Sequence, residues 1–245
     1  KKFISELYGK STGCSKGRGG SMHLTDPSVG FVGSTAIVSN SIPVGVGLSL
    51  SSKILGKKQV TIIYLGDASI EEGVFFESLN FAIVKKIPVI FVCENNFYSV
   101  YSPLSVRQPV NRKIYKMVKA CHIKSYKKNG NHTHEVISAF LKAKNFVEKN
   151  KKPVFLEFQT YRWFEHCGPN LDDHLKYRNP KELLYWKKND PIKILENYLI
   201  KKKWINSNSV QNMRNSITNK IDLAFKYAKK SPFPKKEDLY KNLYK

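Results

Sequence analysis

The sequence predicts an α/β protein: a doubly wound, mostly parallel sheet with helices on both faces, followed by a helical C-terminal part. Three observations predict it. Residues 60–65 and 88–93 are apolar runs of strand length, rich in β-branched and aromatic side chains, and residues 153–158 repeat the pattern with a single acid, Glu157, as expected for strands buried on both faces of a parallel sheet. Helix-length segments separate and follow them, the alternation that builds parallel crossovers. The first two runs end in Gly66-Asp67 and Glu94-Asn95-Asn96, at the carboxyl edge where such sheets bind ligands.

Taken in order, residues 10–33 are rich in Gly and Ser, lack a period and read as an ordered loop. Residues 40–56 read as a buried helix between Pro43 and Gly56, with small residues that admit a close neighbour. The strand at 60–65 leads to a helix expected over 71–86, with acids in its first turn and lysines in its last. The strand at 88–93 leads to a long loop, 97–110, carrying Pro103 and Pro109, and then a short helix near 111–119. Asn129-Gly130 is a turn, and Thr133 is expected to cap a helix over 134–149. The strand at 153–158 precedes a loop at 161–179. Helices are expected near 181–188, 191–202 and 208–229, the last stopped by Ser231-Pro-Phe-Pro234. The domain reading is an α/β domain over 1–180 whose helical C-terminal part spans 181–245. The start at Lys1 rather than Met reads as a processed or fragment end, so a preceding segment is expected to be missing.

Composition narrows the classes. A 41% hydrophobic chain of 245 residues supports a proper core, and its apolar stretches are too short to cross a membrane. Cys14, Cys93, Cys121 and Cys167 form no paired motif, so a cytoplasmic, reducing setting is the default. The formal charge of +23 raises nucleic-acid binding as one reading. The lysines are dispersed as doublets and triplets and arginine is scarce, which favours solvated helix faces over a nucleic-acid or membrane partner. His132-x-His134 has metal-ligand residue types, but at a helix start polar residues ordinarily satisfy free N–H groups, and that reading is preferred.

The chemistry concentrates in Gly66-Asp67-Ala68, followed one helix and one strand later by Asn95-Asn96. If the two strands are close, a carboxylate and a carboxamide oxygen face one crevice. With a nearby carbonyl, two diphosphate oxygens and a water, they complete the octahedron magnesium prefers. N–H groups of the helix start around 69–72 would favour the anion. Alone, an Asp after a strand is usually a cap and Asn-Asn usually a turn; the pair in this setting is more specific.

That segment, GDASIEEGVFFESLNFAIVKKIPVIFVCENNFYSVYSP, resembles the alpha subunit of the decarboxylating component of 2-oxo acid dehydrogenases, the pyruvate, branched-chain and acetoin enzymes. ELYGKSTGCSKGRGGSMH, TAIVSNSIPVGVG, TYRWFEHCGPNLDDHLKYR and SPFPKKEDLYKNLY resemble further motifs of that family in the same order, over nearly the whole chain. The resemblance implies the thiamine diphosphate-binding fold, its diphosphate-binding domain, with thiamine diphosphate and Mg2+ as cofactors. It implies that Asp67, the Asn96 side chain and the Tyr98 carbonyl ligate magnesium. Gly66 and the backbone N–H groups of Ala68 and Ser69 would serve the diphosphate, with Arg162 as a further phosphate partner. Ala36 and Val38 would touch the aminopyrimidine ring through main-chain atoms. His166 would be the catalytic histidine, binding substrate and passing on the acyl group. Ala36 and Ala68 stand where the family usually has Gly, and Cys167 where animal members carry a phosphorylatable Ser, so kinase control there is not expected. Implied partners are a beta subunit in an α2β2 heterotetramer, a 2-oxo acid and a lipoyl-carrier acyltransferase. The competing readings are a split transketolase-like subunit moving ketol units, a basic nucleic-acid-binding module, and a non-catalytic scaffold, against which Asp67, Asn96 and His166 speak.

Overall fold

The computed structural model describes residues 1–241. In chain order the regular elements begin with α1 (Lys2–Leu7), α2 (Ser41–Ile54), β1 (Thr61–Gly66), α3 (Gly73–Val84) and β2 (Val89–Asn95). They continue with β3 (Tyr98–Ser99), β4 (Ser102–Pro103), α4 (Leu104–Arg107), α5 (Ile114–Ala120), β5 (Lys124–Asn129) and α6 (Thr133–Asn150). The last are β6 (Val154–Gln159), α7 (Pro180–Lys188), α8 (Pro191–Lys201) and α9 (Ser207–Lys230). Two compact units emerge, Val38–Tyr198 and Lys1–Ile37 with Leu199–Lys245. The final residues of the C-terminal motif, 242–244, lie outside the described residues.

The larger unit is a four-stranded, fully parallel sheet in the order β1-β2-β6-β5. Ile63, Leu65, Phe91, Cys93 and Phe155 pack on one face against α2, α3 and α5. Ile90, Val92, Val154, Leu156 and Phe158 pack on the other against α6. The crossover from β1 to β2 runs through α3 on one face and that from β5 to β6 through α6 on the opposite face. Right-handed crossovers demand this change of side when the strand order reverses. The reversal falls between β2 and β6, so the crevice of the sheet opens at their carboxyl ends.

Several expectations need correction. The first strand is not buried on both faces: Ile62 and Tyr64 are 43% and 56% exposed, because β1 lies at the sheet edge and the core on the α6 side is drawn from β2 and β6. The helix expected over 71–86 starts only at Gly73. Residues Ala68–Glu71 form a 3-10 turn and Glu72 is extended at φ −74°, ψ 138°, so neither the acids nor the lysines fall within the helix ends. Loop 97–110 is ordered into the β3–β4 hairpin and the single turn α4. The α6 cap is His132 rather than Thr133, and no side chain caps it. β5, Lys-Ser-Tyr-Lys-Lys-Asn, is a strand with no counterpart among the expected ones: it is a lysine-rich edge strand with no apolar run, the composition that protects a sheet edge.

The helix over 41–54 packs as closely as its glycines suggest; a Cβ on Gly45 would come within 2.5 Å of the Ile63 side chain. In the smaller unit the Gly/Ser loop is organised by one acid. The fully buried Glu6 accepts backbone N–H bonds from Ser15 (2.8 Å), Gly17 (3.0 Å) and Gly19 (2.6 Å). Such charge-assisted bonds hold an otherwise aperiodic loop.

Candidate active site

Asp67 follows β1 and is 2% exposed. β1 pairs in parallel with β2 from Thr61↔Val89 to Gly66↔Glu94, so Asp67 and the Asn95-Asn96 pair leave neighbouring strands at the same edge. The two asparagines divide their work. Asn95 is buried, donates from Nδ2 to Glu157 Oε1 (2.9 Å), and accepts the Phe97 N–H at 3.1 Å. Glu157 on β6 also accepts the Tyr115 N–H at 3.0 Å, so this buried acid clamps β2 to the start of α5. Asn96 Oδ1 accepts the Tyr98 N–H at 2.9 Å and retains a second lone pair. The chain here is strained: Phe97 and Val100 have φ of +70° and +52°, and a β-branched residue at positive φ is an outlier that surrounding contacts must hold.

Phe97 is held by the Asn95 side chain, by the Leu104 N–H on its carbonyl at 2.7 Å and by the Trp186 ring, and arginines hold the hairpin that carries Val100. The Arg107 guanidinium pairs with Asp67 and, through Nη1, with Glu71 Oε1 at 2.6 Å, while its Nε donates to the Ser102 carbonyl at 3.2 Å. Gln108 adds a bond to Glu71 at 2.7 Å. Arg162, beyond β6, donates from Nη2 to the Val100 carbonyl (2.9 Å) and to the Tyr177 hydroxyl (2.7 Å). Arg178 pairs with the buried Asp172, reaches Asp173 at 3.2 Å and donates to the Arg162 carbonyl at 2.5 Å. Arg162 Nε and Nη1 are buried with no hydrogen-bond partner. Buried N–H donors on a cation are costly to leave unpaired.

Tyr98 and Tyr161 both donate to Glu182 Oε2, at 2.6 and 3.3 Å. Burial, then the Glu182 hydrogen bond, push the Tyr98 hydroxyl up to about 12, and burial with the Glu182 charge pushes Tyr161 higher still. Both stay protonated donors at neutral pH.

A network of hydrogen bonds, ion pairs and chain neighbours thus joins most of the predicted residues. Ser39, next to Val38 and itself at φ +65°, donates to the Ser69 carbonyl at 2.8 Å. Ser69 and Ala68 follow Asp67 in the 3-10 turn; Asp67 meets Arg107; Ser102 and Val100 of the hairpin meet Arg107 and Arg162. Because Ala68 and Ser69 head a four-residue turn and not α3, their N–H groups lack a full helix dipole behind them. His166 and Cys167 lie outside this network, on the exposed part of the 161–179 loop. Ala36 occupies an exposed bend of the smaller unit. Arg107, Arg178, Asp172, Glu157 and Glu182 were not anticipated. One signal was available: with so few arginines in a lysine-rich chain, each marks a place where a planar, multi-donor fork is needed. A cavity of about 550 Å³ lined by Lys53, Lys57, Pro88 and Lys151 opens at the amino ends of the strands, opposite this site.

A parallel sheet with polar and charged groups gathered at its switch-point edge defines a doubly wound α/β ligand-binding protein. Residues 1–237 match the dehydrogenase E1 component family, and the chain belongs to that family. It is 32% identical over 244 residues to pyruvate dehydrogenase E1 component subunit alpha of Rickettsia bellii (strain RML369-C), covering all of this chain and 74% of that protein. The same subunit of Porphyra purpurea is 31% identical over 248 residues, with 98% and 71% covered. A solved structure of benzoylformate decarboxylase from Polynucleobacter necessarius aligns with a TM-score of 0.44 and 20% identity over 56% of this chain and 26% of that one. Among the described residues no helix is long and apolar enough to cross a membrane.

Proposed function

We propose that this chain is the alpha subunit of a thiamine diphosphate-dependent 2-oxo acid dehydrogenase, holding the Mg2+-diphosphate end of the cofactor beside a separate beta subunit in an α2β2 assembly. The observation that carries the reading is the buried carboxylate of Asp67 at the tip of β1, one strand from the tip that bears Asn96. The residues present fit the group. Asp67, the Asn96 carboxamide oxygen and the Tyr98 carbonyl are the hard oxygen donors magnesium takes. Arg162 Nε and Nη1, orphaned and buried, suit diphosphate oxygens, with Ala68 and Ser69 N–H groups beside them. When bound, the cofactor supplies the nucleophilic carbon and electron sink for decarboxylation.

The chain's own residues bind and orient. Asp67 and Asn96 fix the cation and Arg162 the anion, while the β1–β2 ladder keeps the two tips in register and the Glu157–Asn95 bond ties the Asn96-bearing tip to β6. Val38, with Ala36 before it, offers main-chain atoms to the ring by the family resemblance. His166, exposed on its loop, is free to meet the 2-oxo acid and the incoming acceptor, a lipoyl carrier in this reading.

Arg107 must release Asp67 before a cation can occupy it. Removing one member of a buried ion pair leaves the other uncompensated, so Arg107→Ala is expected to lower the Mg2+ concentration at half-saturation by about tenfold. Titrating Mg2+ against a fixed level of cofactor and following tryptophan fluorescence checks this.

The function itself is tested by co-expressing the chain with its beta subunit. The pair is assayed on pyruvate, branched-chain 2-oxo acids and sugar phosphates with an artificial electron acceptor. Turnover of a 2-oxo acid that needs both subunits, thiamine diphosphate and Mg2+ is the expected result. Ketol transfer between sugar phosphates, with no 2-oxo acid turnover, would overturn it.

A further inference from the structure

A second cluster of ligand-type side chains stands apart from the Asp67–Arg162 network, where β5 turns into α6. One ligand atom each from His132, His134 and Glu135 lies within 4.8 Å of the others. The two imidazoles stack with centroids 5.8 Å apart and planes inclined by 20°, and His132 Nδ1 is 3.2 Å from Glu135 Oε1. The alternative role for these residues, capping the helix, is not filled: no side chain caps α6.

We propose that His132, His134 and Glu135 form a zinc site. Two ligands held tetrahedrally at about 2.0–2.1 Å from zinc stand roughly 3.3 Å apart, close to the His132–Glu135 separation. His134 is exposed and can close the remaining distance by a side-chain rotation, leaving a fourth position to water. Two imidazoles and a carboxylate suit zinc, whereas magnesium prefers oxygen donors throughout. Lys128 Nζ, 3.9 Å from Glu135 Oε2, and the positive end of α6 oppose a cation, so affinity is expected on the order of micromolar rather than that of buried structural sites.

The site would brace a turn that already ties elements together. Gly130 N–H donates to the Gln159 carbonyl at 2.7 Å, Thr160 Oγ1 to Asn131 Oδ1 at 2.9 Å, and Asn131 Nδ2 to the Asn189 carbonyl at 2.7 Å. A metal on His132, His134 and Glu135 would therefore stiffen the exit of β6 and its junction with the end of α7.

The test uses the full, untagged chain with saturating Mg2+. Zinc is titrated in competition with a chromophoric chelator, and the melting temperature is followed with and without zinc. The wild type is expected to bind one equivalent and to melt higher with zinc. The His132→Ala/His134→Ala double variant is expected to bind at least about 100-fold more weakly and to lose the zinc-dependent rise. Asp67→Ala should keep both. His134→Ala alone, at an exposed position, repeats the comparison should the double variant fail to fold. Absence of zinc binding by the wild type, or equal binding by wild type and folded variants, overturns the proposal.

Discussion

Asp67→Ala is expected to abolish magnesium-dependent binding of thiamine diphosphate, weakening it by at least about 100-fold. The acid is the one anionic ligand in the proposed set, and a hard divalent ion held only by a carboxamide and a carbonyl keeps its hydration shell instead. The substitution also releases Arg107 from a buried pair, but Glu71 remains to receive it at 2.6 Å, so the fold is expected to survive. Isothermal titration with and without Mg2+, beside far-UV circular dichroism, separates loss of the site from loss of the fold. Asp67→Asn, which keeps size but not charge, is expected to fall in between. Unchanged binding in a folded Asp67→Ala protein would refute the ligand assignment.

His166→Ala is expected to have the opposite profile. His166 is exposed and stands outside the hydrogen-bonded network that holds the other site residues, so its loss should leave cofactor affinity nearly intact. A histidine that binds substrate and moves a proton during acyl transfer contributes about 10²–10⁴ in rate. In the assembled α2β2 enzyme, turnover with a lipoyl acceptor should fall by about 100-fold or more while the cofactor dissociation constant changes little. Full turnover would remove the residue from the mechanism; a parallel loss of cofactor affinity would make it a binding residue instead.

What could be read in advance follows burial. The runs that became β2 and β6 are enclosed on both faces, so their apolar character is legible, broken in the core of β6 only by Glu157. β1 carried the same signal although its outer face is open, since Ile62 and Tyr64 look no different in sequence from Ile63 and Leu65. β5 was invisible because a lysine-rich edge strand that pairs only with β6 has no apolar signature. The positions of Asp67 and Asn96 at neighbouring strand ends were legible because strand ends are marked by local residues. Arg107 was not: its pairing with Asp67 spans forty positions and depends on α4 folding back across the loop. The orphan donors of Arg162 exist only once Val100 and Tyr177 have taken its other nitrogen.

The most direct measurement replaces Mg2+ with Mn2+ and locates it by anomalous diffraction in crystals of the chain with its beta subunit and thiamine diphosphate. The account predicts a peak roughly 2.0–2.3 Å from an Asp67 carboxylate oxygen, Asn96 Oδ1 and the Tyr98 carbonyl, with Arg107 turned away from Asp67 and Arg162 on the diphosphate. A peak elsewhere, with Asp67 still paired to Arg107, would contradict it.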